Sequence, residues 1–176
     1  MRLRNLLICT GLAAFGSMVL AQEPPKGVAD QLALLKSSDP KLAANKKLVF
    51  DMYRTVINAG QTGEAEKFFT KEYIQHNPNV VSGRDALVAY IKQTRPAKPI
   101  PDTIQFPVIA IMAEGDLVTV ATVSVMDEID NPGKKYLNTH FDMFRIENGK
   151  IAEHWDHVEK SRAALKFDPN TTIQKK

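Results

Sequence analysis

The hydrophobic pattern changes its period near the middle of the chain. Up to about residue 94, apolar residues recur three or four positions apart, as they do along one face of an α-helix. From Thr103 onward they alternate with polar residues, as they do in strands that bury one face. Helical segments followed by strand segments predict an α+β fold, with helices packed on one face of a curved antiparallel sheet.

Three helices are predicted from their start and stop signals. A capping side chain before the first turn and glycine after the last turn satisfy backbone groups that the helix leaves unpaired. The predicted helices are Asp39–Ala59, with Pro40 in its first turn and Gly60 as its stop, 63–69, with Thr62 as its cap, and 82–94, with Ser82 and Asp85 as a capping box.

The predicted strands are separated by turn residues, and the clearest turns contain Gly or Pro. Pro107 indicates an edge strand or a bulge, because proline cannot donate to a sheet ladder. The predicted strands are Tyr73–His76, Thr103–Ala113, Leu117–Met126, Tyr136–Ile146 and Lys150–Val158.

The first 21 residues have the pattern of a cleavable export signal. Arg2 and Arg4 precede an apolar run that is shorter than the ~20 residues of a membrane-spanning helix. An uncleaved anchor is the alternative. We expect cleavage after Ala21 and a periplasmic or secreted protein without stable membrane insertion. The predicted organisation is signal peptide 1–21, a polar lead 22–38 that is poorly ordered at its start, one domain 39–160 and polar tail 161–176.

Charge and cysteine content exclude several classes of function. Loss of Arg2 and Arg4 from the 23 basic residues leaves 21 against 20 acidic ones, so the mature chain is nearly neutral. No basic stripe for nucleic acid is visible. The single cysteine, Cys9, lies in the signal segment, which excludes disulfides, thiolate catalysis and cysteine–zinc sites in the mature chain.

Two registers fit the last hairpin, Tyr136 to Val158. A two-residue loop at 148–149 sets Asp142 opposite Trp155 and turns His154 away. A three-residue loop at 147–149 sets Asp142 opposite His154 and His140 opposite Asp156. We favour the three-residue loop, because glycine in its third position suits a left-handed bulge residue.

In the favoured register, two carboxylates and two imidazoles share one strand face with Phe144. Around a cavity such groups shift one another's pKa and can transfer protons near neutral pH. The alternative is a solvent-exposed face, where His and Asp are ordinary. The closely spaced histidines His154 and His157 point apart on a strand, so we predict no metal site.

The segments Tyr73–Pro78, Gly83 and Phe141–Asp156 resemble the SnoaL-like polyketide cyclases. These belong to the nuclear transport factor 2-like fold, a cone of curved sheet closed by helices. The family closes rings by aldol condensation without metal or nucleotide. The resemblance implies proton transfer by Asp156, with His154 and Asp142 as partners and His76 across the mouth.

A more distant resemblance links Tyr53–Gly60 to the first helix of ketosteroid isomerases. It implies that Tyr53 and a protonated Asp142 form an oxyanion-binding pair. The position that carries the base in those enzymes is Asn77, and an amide cannot take a proton. A base in this chain must therefore be His76, His154 or Asp156.

Two functions remain open: an exported cyclase or isomerase acting next to a carbonyl, and a non-catalytic module that binds a small apolar ligand. A homodimer through the outer sheet face is expected from the family, and no cofactor is expected. The candidate catalytic residues are Asp156, His154, Asp142 and His76, and the candidate substrate-binding residues are Tyr53, Asn77, Phe144, His140 and Trp155.

Overall fold

The first helix positions the side chain that later reaches the sheet. In this computed structural model, which describes residues 23–159, α1 spans Pro40–Met52 and continues as a π-helical turn over Tyr53–Asn58. Asp39 caps it by accepting from two backbone N–H groups, as predicted. Gly60, with φ of 62°, ends it. A Cβ there would lie 2.9 Å from the carbonyl oxygen of Pro96, so the close chain crossing requires glycine.

Two further helices follow. A 3₁₀ turn over Thr62–Glu64 leads into α2, Ala65–Phe68, and α3 spans Arg84–Thr94. The predicted capping box at the start of α3 is wrong. Gly83, with φ of 102°, occupies the cap position, and the Ser82 hydroxyl bonds instead to the backbone of Gln75. Ser82 therefore ties the start of α3 to the sheet.

Five strands form one sheet in the order β1-β5-β4-β3-β2. Neighbouring strands are antiparallel except β1 and β5, which are parallel, so the sheet is mixed. The predicted α+β fold of the nuclear transport factor 2-like type is confirmed. The strands are β1 Phe69–Gln75, β2 Val108–Glu114, β3 Leu117–Asp127, β4 Lys135–Glu147 and β5 Lys150–Asp156.

The core lies between the helices and one face of the sheet, which we call the inner face. Burial of the apolar side chains in this core is the main source of the fold's stability. On β4 and β5 the inner face carries His140, Asp142, Phe144, His154 and Asp156. The core includes Val49, Phe50, Met52 and Val56 from the first helix, Leu87 and Ile91 from α3, and Phe69, Val118, Val120, Phe144 and Ile151 from the sheet.

The segment before α1 is anchored to the edge of the sheet. The Val28 amide donates to the Val108 carbonyl at 2.8 Å, and the Gln31 side chain bonds to both backbone groups of Ile104. The predicted signal peptide and the tail from 161 lie outside the described residues. Among residues 23–159, no helix combines the length and the apolar character that crossing a membrane requires.

Candidate functional site

The loop of the last hairpin has two residues, so the three-residue loop that we favoured is wrong. Asn148 and Gly149 have φ of 50° and 73°, and Glu147 pairs with Lys150. Asn-Gly suits a turn in which both central residues are left-handed. The preference of Asn-Gly for the two-residue turn is stronger than the preference of a single glycine for the bulged loop.

A bulge inside β5 nevertheless places His154 and Asp156 on the same face as Asp142, as the longer loop would have done. Ile146 pairs with Ile151, but Arg145 pairs with Glu153, so Ala152 is left without a partner. From there Phe144 lies opposite His154 and Asp142 opposite Asp156. The four polar side chains thus share the inner face through a bulge rather than through the loop.

Asp142 is the acceptor at the centre of this group. Its Oδ2 accepts from the Tyr53 hydroxyl at 2.6 Å, and its Oδ1 lies 2.8 Å from His154 Nε2 and 3.4 Å from His140 Nε2. Burial alone would raise the pKa of Asp142. The hydrogen bonds from His140, His154 and Tyr53 outweigh burial and hold the pKa well below its usual range. Asp142 is therefore an ionised acceptor.

The predicted oxyanion pair of Tyr53 and protonated Asp142 is wrong for this reason. An ionised Asp142 has no proton to donate. Burial, and then the charge of Asp142, raise the pKa of Tyr53 well above its ordinary value, so its hydroxyl keeps its proton and donates it to Asp142. The pair holds the first helix to β4 instead of facing an enolate.

His154 is bonded through both ring nitrogens. Its Nδ1 lies 3.0 Å from Gln75 Oε1, which also accepts from the Asn77 backbone N–H at 3.0 Å. That oxygen and Asp142 Oδ1 are both acceptors, so each ring nitrogen of His154 faces a hydrogen-bond acceptor. The ring stacks on Phe144 with centroids 4.6 Å apart. His154 is thus locked in orientation, with both ring nitrogens engaged by the protein.

Asp156 is the one carboxylate of the group with an unused oxygen. Its Oδ2 accepts from Asn77 Nδ2 at 2.7 Å. Its Oδ1 is buried and has no hydrogen-bond partner among residues 23–159. A buried acceptor without a donor is costly, so a group that donates to this oxygen would bind favourably.

These side chains border a cavity of about 230 Å³ between the helices and the inner face. Its walls combine apolar residues with a cluster of polar ones, as is typical of small-molecule sites. The apolar and aromatic lining residues are Met52, Tyr53, Ile57, Phe69, Tyr73, Val80, Leu87, Tyr90 and Phe144, and the polar ones are Gln75, Asn77, Arg95, Asp142, His154 and Asp156.

Sequence reasoning missed Tyr73 and Gln75. The Tyr73 hydroxyl accepts from Gln75 Nε2 at 3.1 Å, and its own proton has no acceptor among the described residues. Burial, and then the charge of Asp156, raise the pKa of Tyr73. The signal was strand alternation: Tyr73, Gln75 and Asn77 are two positions apart, so they share a face.

The same alternation places His76 on the opposite, outer face, so its predicted place across the cavity mouth is wrong. Its Nε2 lies 3.0 Å from Glu153 Oε2, and its ring stacks on Trp155 with centroids 4.7 Å apart. Trp155 is also an outer-face residue, with the Arg145 guanidinium 5.5 Å from its ring centroid. Neither His76 nor Trp155 lines the cavity.

His140 lies beside the cavity rather than in its lining. The hydrogen bond to Asp142 raises the pKa of His140 above its ordinary value, against the effect of burial. His140, Asp142 and Asp156 bring one ligand atom each within 4.8 Å of one another. Both Asp142 oxygens already accept protein hydrogen bonds, which an ion bound there would have to displace.

Comparison with known proteins agrees with the fold. Residues 47–165 match the SnoaL-like polyketide cyclase family. A candidate polyketide cyclase from Acidithiobacillus ferrooxidans superposes with a TM-score of 0.50 at 17% identity, over 78% of this chain and 99% of that one. A candidate SnoaL-like polyketide cyclase from Jannaschia sp. CCS1 gives 0.50 at 18% identity, over 69% and 90%. At these identities the likeness shows the fold alone. No curated protein matches the sequence.

Proposed function

Since the chain belongs to the SnoaL-like polyketide cyclase family, we propose that its cavity binds a small, largely apolar carbonyl compound and catalyses aldol-type ring closure or isomerisation by proton transfer. The observation that carries this proposal is that Oδ1 of Asp156, a buried carboxylate oxygen in a residue that lines the cavity, has no hydrogen-bond partner among residues 23–159. Family membership by itself supports only the class of reaction, because this fold hosts many functions.

Asp156 is the base in this proposal. Its Oδ2 is held by Asn77, which fixes the direction of the carboxylate, while the buried Oδ1 has no partner among residues 23–159. His154 is less suited to this role, because each of its ring nitrogens already has a protein partner. A base must have a lone pair within hydrogen-bond reach of the proton that it removes.

Tyr73 is the donor to the enolate. Its hydroxyl proton has no acceptor among residues 23–159, and the side chain lines the same cavity as Asp156. A donor that is already oriented in a buried site stabilises the developing oxyanion more strongly than water does. Gln75 holds the Tyr73 oxygen by donating to it at 3.1 Å.

The proton that Asp156 removes is returned at the end of the reaction, so no added reagent is needed. Oδ1 of Asp156 takes a proton from the carbon next to a carbonyl, and the C–H electron pair forms the enolate. The enolate carbon attacks a second carbonyl of the same molecule, forming the new C–C bond. The resulting alkoxide takes the proton back from Asp156, which returns to the carboxylate.

Asp142, His154 and Tyr53 act as positioning residues in this proposal. Their mutual hydrogen bonds hold β4, β5 and the first helix at a fixed separation around the cavity. Groups locked in this way preorganise the wall that carries Asp156.

The decisive experiment compares Asp156→Asn with His76→Gln on a panel of diketone and β-ketoester substrates that can cyclise. Loss of a general base lowers turnover by about 100-fold or more, so Asp156→Asn should be nearly inactive. His76→Gln removes an outer-face histidine and should keep wild-type turnover. Full activity of Asp156→Asn on a substrate that the wild type converts would exclude the proposed role.

A second candidate function is ligand binding without chemistry. It is favoured by the hydrogen bonds that join Asp142 to His154 and Tyr53. Such mutual pairing is more typical of buried structural groups than of reactive ones. Mass spectrometry of a compound that co-purifies with the mature protein would identify the ligand for either function. No turnover across the panel, with retained binding of that compound, would favour the binding module.

We also propose that the protein is exported and forms a homodimer through the outer face. The outer face carries exposed apolar side chains, with Phe141 49% and Val125 62% exposed, and covering them would favour self-association. N-terminal sequencing of the exported protein tests cleavage after Ala21. Sedimentation that gives only monomer at high concentration would exclude the dimer.

A further inference from the structure

Two residues that line the cavity each have a group without a partner among residues 23–159, and the two groups are of opposite kinds. Asp156 Oδ1 is a buried acceptor without a donor, and Arg95 is a cation without an acceptor. A cavity ligand that satisfies both must carry a hydrogen-bond donor and, at another position, an anionic acceptor.

Arg95 differs from every other arginine in residues 23–159. Three of these side chains are used by the protein itself: Arg54 binds Asp51 and the Pro101 carbonyl, Arg84 the Phe69 carbonyl, and Arg145 both Asp116 and Glu153. Arg95 has no ion pair and no side-chain hydrogen bond within that part of the chain, although it is half-buried and lines the cavity.

Neither carboxylate that lines the cavity is paired with Arg95. Asp142 accepts from Tyr53 and His154, and Asp156 is held by Asn77. The remaining walls are mainly apolar, so an anion that enters meets few competing donors and a medium in which charge pairing is stronger than in water. A guanidinium presents a planar fork of donors that matches a carboxylate through two parallel hydrogen bonds.

We propose that this cavity selects ligands that carry a carboxylate, with the carboxylate paired to Arg95 and a hydroxyl or acidic C–H directed at Asp156 Oδ1. The proposal deepens the proposed function, on which it rests for the use of the cavity as a ligand site. It narrows the substrate class from neutral carbonyl compounds to apolar keto acids and hydroxy acids.

Binding of a matched probe series tests this selection. The probes are 6-hydroxy-2-naphthoate, its carboxamide and its methyl ester, which share a ring and a hydroxyl and differ in the anionic group. Binding to the full mature chain is followed by probe fluorescence and by calorimetry. We expect the acid to bind about tenfold more tightly than the amide or ester, the usual contribution of one charge-assisted pairing.

Substitutions at Arg95 assign the preference to that residue. Arg95→Gln should abolish the acid preference, and Arg95→Lys should retain part of it, since lysine keeps the charge but lacks the fork. Lys92→Gln is the matched control, because it removes the same charge from an exposed position in the last turn of α3, the helix that Arg95 directly follows. Lys92→Gln should bind all three probes as the wild type does.

Several results would overturn the proposal. These are equal wild-type affinity for the acid and its ester, no binding of the acid, or a loss in Lys92→Gln that equals the loss in Arg95→Gln. Failure of the proposed function looks different, because it leaves the acid preference intact while no substrate is turned over. Conversely, neutral compounds could be turned over in an Asp156-dependent reaction with an unchanged KM in Arg95→Gln. That result would support the proposed function and exclude the selection of carboxylates by Arg95.

Discussion

The two faces of the sheet each carry a carboxylate that binds a histidine, and the surroundings separate their roles. On the inner face, Asp142 is buried and receives bonds from Tyr53 and His154. On the outer face, Glu153 bonds to Arg145 and His76, whose side chains are 32% and 40% exposed. Water competes with the outer pairs, so they contribute little to stability, whereas the inner group has no such alternative.

This contrast shows that residue type alone does not mark a site. Both faces pair a carboxylate with a histidine, and both include an aromatic ring stacked on histidine, Phe144 inside and Trp155 outside. The inner-face group, unlike the Glu153 group, borders the cavity described above and includes a buried carboxylate oxygen without a partner among residues 23–159. Equivalent substitutions on the two faces test whether their roles differ.

The largest expected effect is that of Asp142→Asn. It leaves the His154 proton and the Tyr53 hydroxyl without an anionic acceptor, and should lower the free energy of unfolding by about 3 kcal/mol. Glu153→Gln, the outer-face counterpart, should cost at most about 1 kcal/mol. Urea denaturation of both variants measures the difference, and equal losses would remove the distinction between the faces.

The loss of stability in acid should show the contribution of Asp142 on the inner face. The pKa of Asp142 is lower in the folded protein than in the unfolded chain, where it is about 3.9. Its contribution is therefore fully present above about pH 4 and is lost as pH falls below that value toward the folded pKa. Urea midpoints measured between pH 2 and 6 should fall less steeply in Asp142→Asn than in wild type. A wild-type slope in that variant would contradict the assignment.

Removal of one inner donor should have a smaller effect. Tyr53→Phe deletes a hydrogen bond to a charged acceptor at 2.6 Å and should cost about 2 kcal/mol. Asp142 keeps its two histidine partners, so the loss should be smaller than in Asp142→Asn. In a double-mutant cycle the two losses should not add, and full additivity would mean that the hydroxyl and carboxylate do not interact.

The smallest expected effect concerns His140, at the rim of the inner group. Its pKa is raised in the folded protein, so its contribution is fully present below the unfolded value of about 6.5 and is lost as pH rises through the folded pKa. Wild-type stability should therefore decline above about pH 6.5, and His140→Gln should reduce that decline. In an Asp142→Asn background, His140→Gln should no longer change the slope, and a persisting change would point to another partner.

Much of the architecture was predictable, because local signals and the global fold agree. Asp39 with Pro40 and the stop at Gly60 bound the first helix, and alternation identified the long strand β3. The π-helical turn at Tyr53–Asn58 was not predictable, since no residue type specifies it. The parallel pairing of β1 with β5 depends on tertiary packing rather than on any local pattern.

The site was predictable in its inner members and less so in its details. Alternation brought Asp142, His154 and Asp156 onto one face, but the loop chosen to do so was wrong. His76 was selected for its chemistry although its neighbours two positions apart, Gln75 and Asn77, were the ones aligned with the cavity. The ionised state of Asp142 follows from three converging donors on separate elements, which sequence spacing does not reveal.

Ala152 is the extra residue that sets which side chains of the last strand face the interior. Since this residue stands outside the alternation, a chain that lacks it would form a regular ladder with the same side chains inside and outside. Loss of one residue from 153 to 155 would exchange interior and exterior for everything after it if the bulge were kept, and would leave the later residues on their present faces if the bulge were lost. The effect of a one-residue deletion in this strand therefore depends on whether the bulge survives it. Motif spacings in related chains should accordingly be compared with this residue counted or skipped as the strand requires.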